Sequence, residues 1–307
     1  MRAGWLLGLA GCNQIFGLQS TREIDAAPPI DAQRLIVPAP PGTCSGAVPD
    51  FSTWTYARRS FSDYPYAATN SLQTSSFYGT GRAVLTDGYH VFDIDESGKL
   101  VEIPQLAPSD NTTIVTIAAA PAGDVVWFAR GGVVTGTTSY FSQAFYAVRA
   151  ESWTIHSADL GIPGPPYIAW PNSIAFYGGR IRMSVSVQDT KTSAFRIAEL
   201  VSDDGYRWTD DHVLDGRPDT GSPYETADGC LLMYDRDDPN TTYPKLYVAA
   251  RDDATGGFGA ETKLTADPDQ PLWSQAPALE SATGRLWYFH MFQTMPSFDG
   301  SLVEGRP

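Results

Sequence analysis

A pattern of short hairpins recurs along this chain at intervals of about fifty residues, a period that marks a propeller or solenoid array. Its clearest copy runs from Ala194 to Arg236, AFRIAELVSDDGYRWTDDHVLDGRPDTGSPYETADGCLLMYDR. Here an Asp204-Gly205 turn is followed by Trp208, and Ser222-Pro223 leads into a second apolar alternation. A unit of this kind cannot bury its apolar face alone, so it must stack on neighbours. The period-two alternation between the turns predicts strands, and four antiparallel strands make one propeller blade.

Four such sets can be written out, with a partial fifth. The first covers about Ser75 to Leu106, with strands at Arg82–Thr86, Tyr89–Ile94 and Leu100–Gln105. The second has Thr113–Ala118, Val125–Arg130, Ala144–Arg149 and Ser152–His156. The third has Asn172–Tyr177, Arg180–Val187, Phe195–Val201 and Tyr206–Val213. The fourth starts at Ser222 and continues through Cys230–Arg236, Lys245–Ala250 and Glu261–Leu264. The fifth has Pro277–Glu280, Arg285–His290 and Ser301–Gly305, and lacks an outer strand. An unassigned alternating segment, Phe51–Ala57, precedes the first set and fits that vacancy. Donating it to the last blade closes the ring and removes two sheet edges. The expectation is therefore an all-β, five-bladed β-propeller closed by an N-terminal strand. Six blades is the alternative, because residues 58–74 can hide further strands.

Composition agrees with many short strands in a real core. Of 307 residues, 42% are apolar and 12% aromatic, and 28 Gly and 23 Pro supply turns. The net charge of −14, with Arg58-Arg59 as the one basic doublet, argues against nucleic-acid binding, which needs clustered Lys and Arg.

The N-terminus reads as an address. Met1-Arg2 is a minimal positive region, and Ala3–Ala10 is apolar but too short to span a bilayer as a helix. Leu9-Ala10-Gly11-Cys12 follows and resembles the lipobox of bacterial lipoproteins, which implies cleavage before Cys12 and a lipid on its sulfur. The organisation is then a signal peptide at 1–11, a lipidated Cys12 with a Pro/Ala/Asp-rich tether over 12–50, and a propeller domain over 51–307. Proline at the density seen in the tether favours extended chain. The implied location is the bacterial cell envelope, on the outer membrane since Asn13 rather than Asp follows Cys12. Cys44 and Cys230 are the other cysteines; in an oxidising compartment they either bridge or remain thiols, and spacing alone does not decide.

Two resemblances attach to the repeats. Ser222-Pro-Tyr-Glu-Thr-Ala-Asp-Gly229, with the LLMYDR and KLYVAAR strands after it, resembles the WD40-like repeat of TolB-type propellers, over roughly residues 220–290. Ile197–Trp208 is similar to the S-x-D-G-x-x-W segment of five-bladed glycosidases and to a shortened Asp-box of sialidases. In that segment Ser202, Asp204, Gly205 and Trp208 carry a structural turn: the Asp bonds turn amides, the Gly takes a positive φ, and the Trp packs between sheets.

Candidate chemistry is sparse. Glycoside hydrolysis needs two carboxylates facing each other across the scissile bond, and the inner strands are poor in acids. Glu225 is the one well placed, and Asp63, before the first blade, is the other weak candidate. His90, His156, His212 and His290 are dispersed, so no metal site is assigned, and Asp203-Asp204 and Asp235–Asp238 read as acidic loops before calcium sites. No cofactor motif is present. Trp170, Tyr224 and Trp273 stand at similar points before or within the Pro-bearing strands, where they either pack between blades or hold a sugar face or a partner loop. The leading expectation is a non-enzymatic, envelope-anchored scaffold for a protein or carbohydrate ligand. A five-bladed furanosidase- or sialidase-like glycoside hydrolase, or a degenerate relative, is the runner-up, and a TolB-like envelope partner a third reading.

Overall fold

The computed structural model describes residues 44–307, apart from residues 60, 62, 67–73, 80, 96, 109–111, 134–139, 163–166, 178, 216–219, 238–243, 252–256, 265–272, 281–282 and 295–296. The lipobox, Cys12 and the greater part of the tether lie outside the described residues.

Strand β1 (Thr55–Arg58) belongs to the last blade. Blade one follows as β2 (Thr74–Tyr78), β3 (Arg82–Thr86), β4 (Val91–Ile94) and β5 (Leu100–Glu102). Blade two is β6 (Thr113–Ala119), β7 (Val125–Val133), β8 (Tyr140–Arg149) and β9 (Trp153–Ser157). Blade three is β10 (Tyr167–Tyr177), β11 (Arg180–Asp189), β12 (Phe195–Ser202) and β13 (Thr209–Asp215). Blade four is β14 (Thr220–Glu225), β15 (Leu231–Asp237), β16 (Pro244–Ala250) and β17 (Thr262–Lys263). Blade five is β18 (Trp273–Glu280), β19 (Arg285–Thr294) and β20 (Ser297–Arg306), completed by β1.

All five sheets are four-stranded and antiparallel, each strand pairing with the next in sequence except at the closure. There β1 pairs with β20, from Thr55 opposite Arg306 to Arg58 opposite Val303. The inner strands β2, β6, β10, β14 and β18 contact one another in that order, and β18 returns to β2. The molecule is a closed five-bladed propeller, not a six-bladed one.

Blades pack face to face through alternate apolar residues. Trp127 and Tyr146 of blade two meet Ile174, Met183 and Leu200 of blade three. Leu85 and Phe92 of blade one share a core with Trp287 and Tyr288 of blade five and Met233 and Val248 of blade four. Because successive residues on a strand face opposite ways, each blade serves two of these interfaces.

Several boundaries differ from the sequence reading. Phe51–Thr53 forms one 3-10 turn capped by Asp50, whose carboxylate accepts from Ser52 N at 3.1 Å, so the closing strand starts later than Phe51. Strand β13 starts at Thr209 because the residues before it are held in a turn. Residues 44–50, read from sequence as part of the tether, are joined to the propeller. Cys44 is bonded to Cys230 in the β14–β15 connection of blade four, with Cα atoms 5.2 Å apart, and Gly46 N–H donates to Arg251 O at 3.0 Å. Residues 44–58 thus strap blade four to blade five.

Candidate ligand-binding site at the axial mouth

Four of the five inner strands break register near their first residues. The shift falls between Ile114 and Thr116 on β6, Pro171 and Ser173 on β10, Gly221 and Tyr224 on β14, and Gln275 and Ala278 on β18. Proline explains three of them: Pro171, Pro223 and Pro277 have no N–H for the ladder, so the pairing yields there. Bulges re-aim side chains and cluster at functional rims. The inserted residues Val115, Asn172, Ser222 and Ala276 all line one cavity of about 530 Å³, with Thr74 of β2 completing the ring. Ser222 and Ala276 adopt φ of 44° and 51°, a region costly for residues with a Cβ. The bulges of blades three and four are tied together: Asn172 Oδ1 accepts from Ser186 N and Oγ, both at 3.0 Å, and Ser222 N–H donates to Ser186 Oγ at 3.1 Å.

The walls are polar where they converge. Thr74 Oγ1, Thr116 Oγ1, Trp170 Nε1 and Asp235 Oδ1 line this cavity as four buried polar atoms with no hydrogen-bond partner among the described residues. They come from four different blades. Buried polar groups are nearly always paired, so four unpaired ones on one cavity point to a ligand that completes them.

Trp170 is only 6% exposed and stacks on Phe195 with centroids 5.8 Å apart, leaving its indole edge toward the space. Asp235, on β15, is 8% exposed. Burial pushes its pKa up to about 7, the Ser222 hydroxyl works against that, and the charge of Asp237 adds to it. Sequence reasoning put Asp235 near the end of the Cys230–Arg236 strand and read the Asp235–Asp238 run as an acidic loop. Its position on a strand that dives behind the Ser222 bulge makes it a wall of the cavity instead.

The residues singled out from sequence are spread over different environments. Glu225 is buried between blades three and four, away from the mouth. It accepts from Arg251 at 2.5 Å and from Ser184 Oγ at 3.1 Å. The second acid nearby, Glu199, takes Arg251 at 3.2 Å and also Arg182 and the Tyr177 hydroxyl. The two carboxylates therefore clasp a shared guanidinium and do not face an open site. Burial, then repulsion from Glu199, pushes Glu225 up to about 8, with Arg251 opposing. Asp63 is exposed on the outer side of blade one and accepts from Leu100 N at 2.7 Å.

Tyr224 is not at the mouth. It follows the bulge that Trp170 precedes, so the two do not occupy equivalent positions. Its ring lies in the core and its hydroxyl donates to Leu279 O at 3.2 Å. Trp273 pairs with Met291 at the start of β18, and its side chain lies outside the described residues.

The Ser202–Trp208 turn is built as a network. Asp204 Oδ1 accepts from Tyr206 N and Arg207 N, both at 2.9 Å, and Gly205 N–H donates to Ser202 Oγ at 2.8 Å. Gly205 has φ 72°. Burial raises the Asp204 carboxyl, but the Arg207 and Tyr206 amides outweigh it and hold the group below its ordinary range. Trp208 packs edge-on against Trp127, whose Nε1 donates to Gly205 O at 3.2 Å. His90 contacts Asp87, His156 stacks on Tyr146, and His290 is buried against Ser274, while the His212 side chain lies outside the described residues. Among the described residues no group of three or more His, Cys, Asp or Glu is placed to hold a metal ion.

No family model matches this chain, and no curated protein does. Solved structures share its fold. A GH32 β-fructofuranosidase of Bombyx mori superposes with a TM-score of 0.50 at 14% identity, over 76% of this chain and 58% of that one. A glycoside hydrolase gives 0.49 at 10% identity, over 79% of this chain and 89% of that one. The sialidase of Trypanosoma rangeli gives 0.46 at 11% identity, over 77% of this chain and 55% of that one, so the chain spans about half of that protein's length. None of the three is a TolB-type propeller, and that resemblance finds no support in them. At these identities the likeness is one of fold alone.

Proposed function

We propose that the protein is a non-enzymatic, envelope-anchored binding propeller that takes a carbohydrate at its axial mouth. The observation that carries this reading is the set of four unpaired buried polar atoms, on four blades, around one cavity beside a stacked Trp–Phe pair. A saccharide matches such a wall: its hydroxyls donate and accept in many directions, and its ring faces lie on aromatic carbon. Hydrolysis would need a second carboxylate across the bond. Among the described residues the lining acids are Asp235 and Asp237, two apart on the same strand and hence on one side of the cavity; the facing inner strands offer Thr74, Val115, Thr116 and Asn172. Among the described residues the large exposed apolar side chains, Tyr89, Val101 and Tyr167, lie on blades one and three, which gives a docking partner less to hold than the cavity gives a sugar.

The test is calorimetric titration of the full chain with defined cello-, xylo- and chito-oligosaccharides. Trp170→Phe keeps the stack on Phe195 and removes the N–H, so affinity should fall roughly tenfold, the worth of one buried hydrogen bond. Binding unchanged in Trp170→Phe and in Thr116→Val would remove the site from this cavity. Release of shortened sugars by the wild type but not by Asp235→Asn would instead establish the glycoside hydrolase reading. Anchoring through Cys12 is part of the proposal; Cys12→Ala should lose palmitate labelling and leave the membrane fraction.

A further inference from the structure

The cavity is acidic, and among the described residues that line it its acid meets the Ser222 hydroxyl but no counter-charge. Asp235 is more than nine-tenths buried, its Oδ1 has no partner among the described residues, and Asp237 adds a second carboxylate two residues on. No Lys, Arg or His is among the described residues that line the space. The whole chain carries −14, so the surrounding field also favours cations. A carboxylate removed from water without a counter-charge or full hydrogen bonding is costly, and a protein that keeps one beside a formed pocket has the complement of a cationic group. The remaining unpaired atoms, two threonine hydroxyls and one indole N–H, are partners for sugar hydroxyls and do nothing for a bare ion.

We propose that the ligand is an amino sugar saccharide, a glycan bearing a free ammonium group, seated so that its nitrogen donates to Asp235 Oδ1. This rests on the carbohydrate-binding reading and narrows it. The rest of the wall fits the same occupant: the Asn172–Ser186–Ser222 chain is internally satisfied and fixes the bulges around the acid, so the carboxylate is held ready before the ligand arrives. Gly221 is part of the device. An added Cβ there would sit 3.1 Å from Asp235 Oδ1, so the missing side chain leaves that oxygen uncovered. A divalent cation is a poorer fit, because calcium takes six to eight oxygens and the one unpaired carboxylate oxygen is accompanied by hydroxyls spread over other blades.

The experiment compares tetra-glucosamine, tetra-N-acetylglucosamine and cellotetraose by titration calorimetry on the full chain, with calcium chloride alone as a fourth probe. The first sugar carries the ammonium, the second masks it, and the third replaces it with hydroxyl. The expected result is at least tenfold tighter binding of tetra-glucosamine, a preference that falls to within about threefold in Asp235→Asn. Gly221→Ala, which crowds the carboxylate without removing its charge, should also weaken tetra-glucosamine more than cellotetraose. Equal affinity for the three sugars overturns the amine assignment and leaves the carbohydrate reading standing. A preference that survives both variants overturns it too, since the ammonium would then be held elsewhere. No binding of any sugar, with Asp235-dependent binding of calcium, overturns both.

Discussion

Replacing Asp235 by Asn should stabilise the protein, and only at the pH where the acid is forced to ionise. In the fold its pKa stands near 7, against 3.8 for the ordinary side chain, chiefly because it is buried. The difference is about 3 pH units, each worth ~1.36 kcal/mol, which bounds the effect at roughly 4 kcal/mol. The folded state holds the proton more tightly than the unfolded chain, so this group's contribution falls as pH rises from about 4 to 7 and is flat above. Asp237 faces the same space and pushes in the same direction, whereas the Ser222 hydroxyl opposes. Asparagine mimics the protonated acid. The variant should match wild type at pH 4 and exceed it by about 2–4 kcal/mol at pH 8, on the order of 4–8 °C in melting temperature for a domain of this size. Urea unfolding followed by tryptophan fluorescence at both pH values measures it, and taking the difference between proteins cancels the titration of Glu225. An equal shift at pH 4 and pH 8, or destabilisation at pH 8, would mean that the carboxylate has an internal partner and is structural. Stabilisation by removing an acid marks a residue kept for binding at a cost in stability.

Three other outcomes follow from the fold. Replacing Cys44 and Cys230 together by Ser opens a crosslink spanning 186 residues, which the chain-entropy model values at about 5 kcal/mol; calorimetry should show a melting temperature lower by roughly 10 °C, and no change would mean that the bond does not form in solution. Arg251→Met leaves Glu199 and Glu225 facing each other without their shared guanidinium and should cost about 3–5 kcal/mol. The loss should be greater at pH 8 than at pH 5, where Glu225 can take up a proton instead; a loss independent of pH in chemical denaturation would assign it to packing. Trp208→Ala empties a site that is 2% exposed against Trp127 and should cost about 3–5 kcal/mol while leaving ligand affinity at the mouth unchanged, a combination that binding and melting data on one sample can check.

Blade number, strand order and ring closure were legible because they rest on local pattern. Alternation marks Val125–Arg130 or Arg285–His290 as strands whatever surrounds them, and turn chemistry at Gly205, Gly229 and Gly284 sets the hairpins between them. A last blade short of one strand and a spare alternating segment at the front have one economical solution, and β1 on β20 is that solution. Strand starts were read less well. The reading began β10 at Asn172 and β18 at Pro277, yet both strands continue before the proline, across a bulge that has no signature in a period-two pattern.

The site was the least legible part. Glu225 and Tyr224 look prominent in sequence because they sit in the Pro-bearing strand, but the Ser222-Pro223 bulge turns that strand inward and buries both. Asp235 looked like one acid in a charged loop, and nothing in its neighbours along the chain says that Thr74, Thr116 and Trp170 stand around the same space. The sequence by itself determined a five-bladed ring of antiparallel sheets, since hydrophobic alternation and turn residues act over a few positions. Only the tertiary structure decided which polar groups end up buried without a partner, and whether Cys44 and Cys230 meet. Those depend on how residues up to 186 positions apart are brought together when the blades close around the axis.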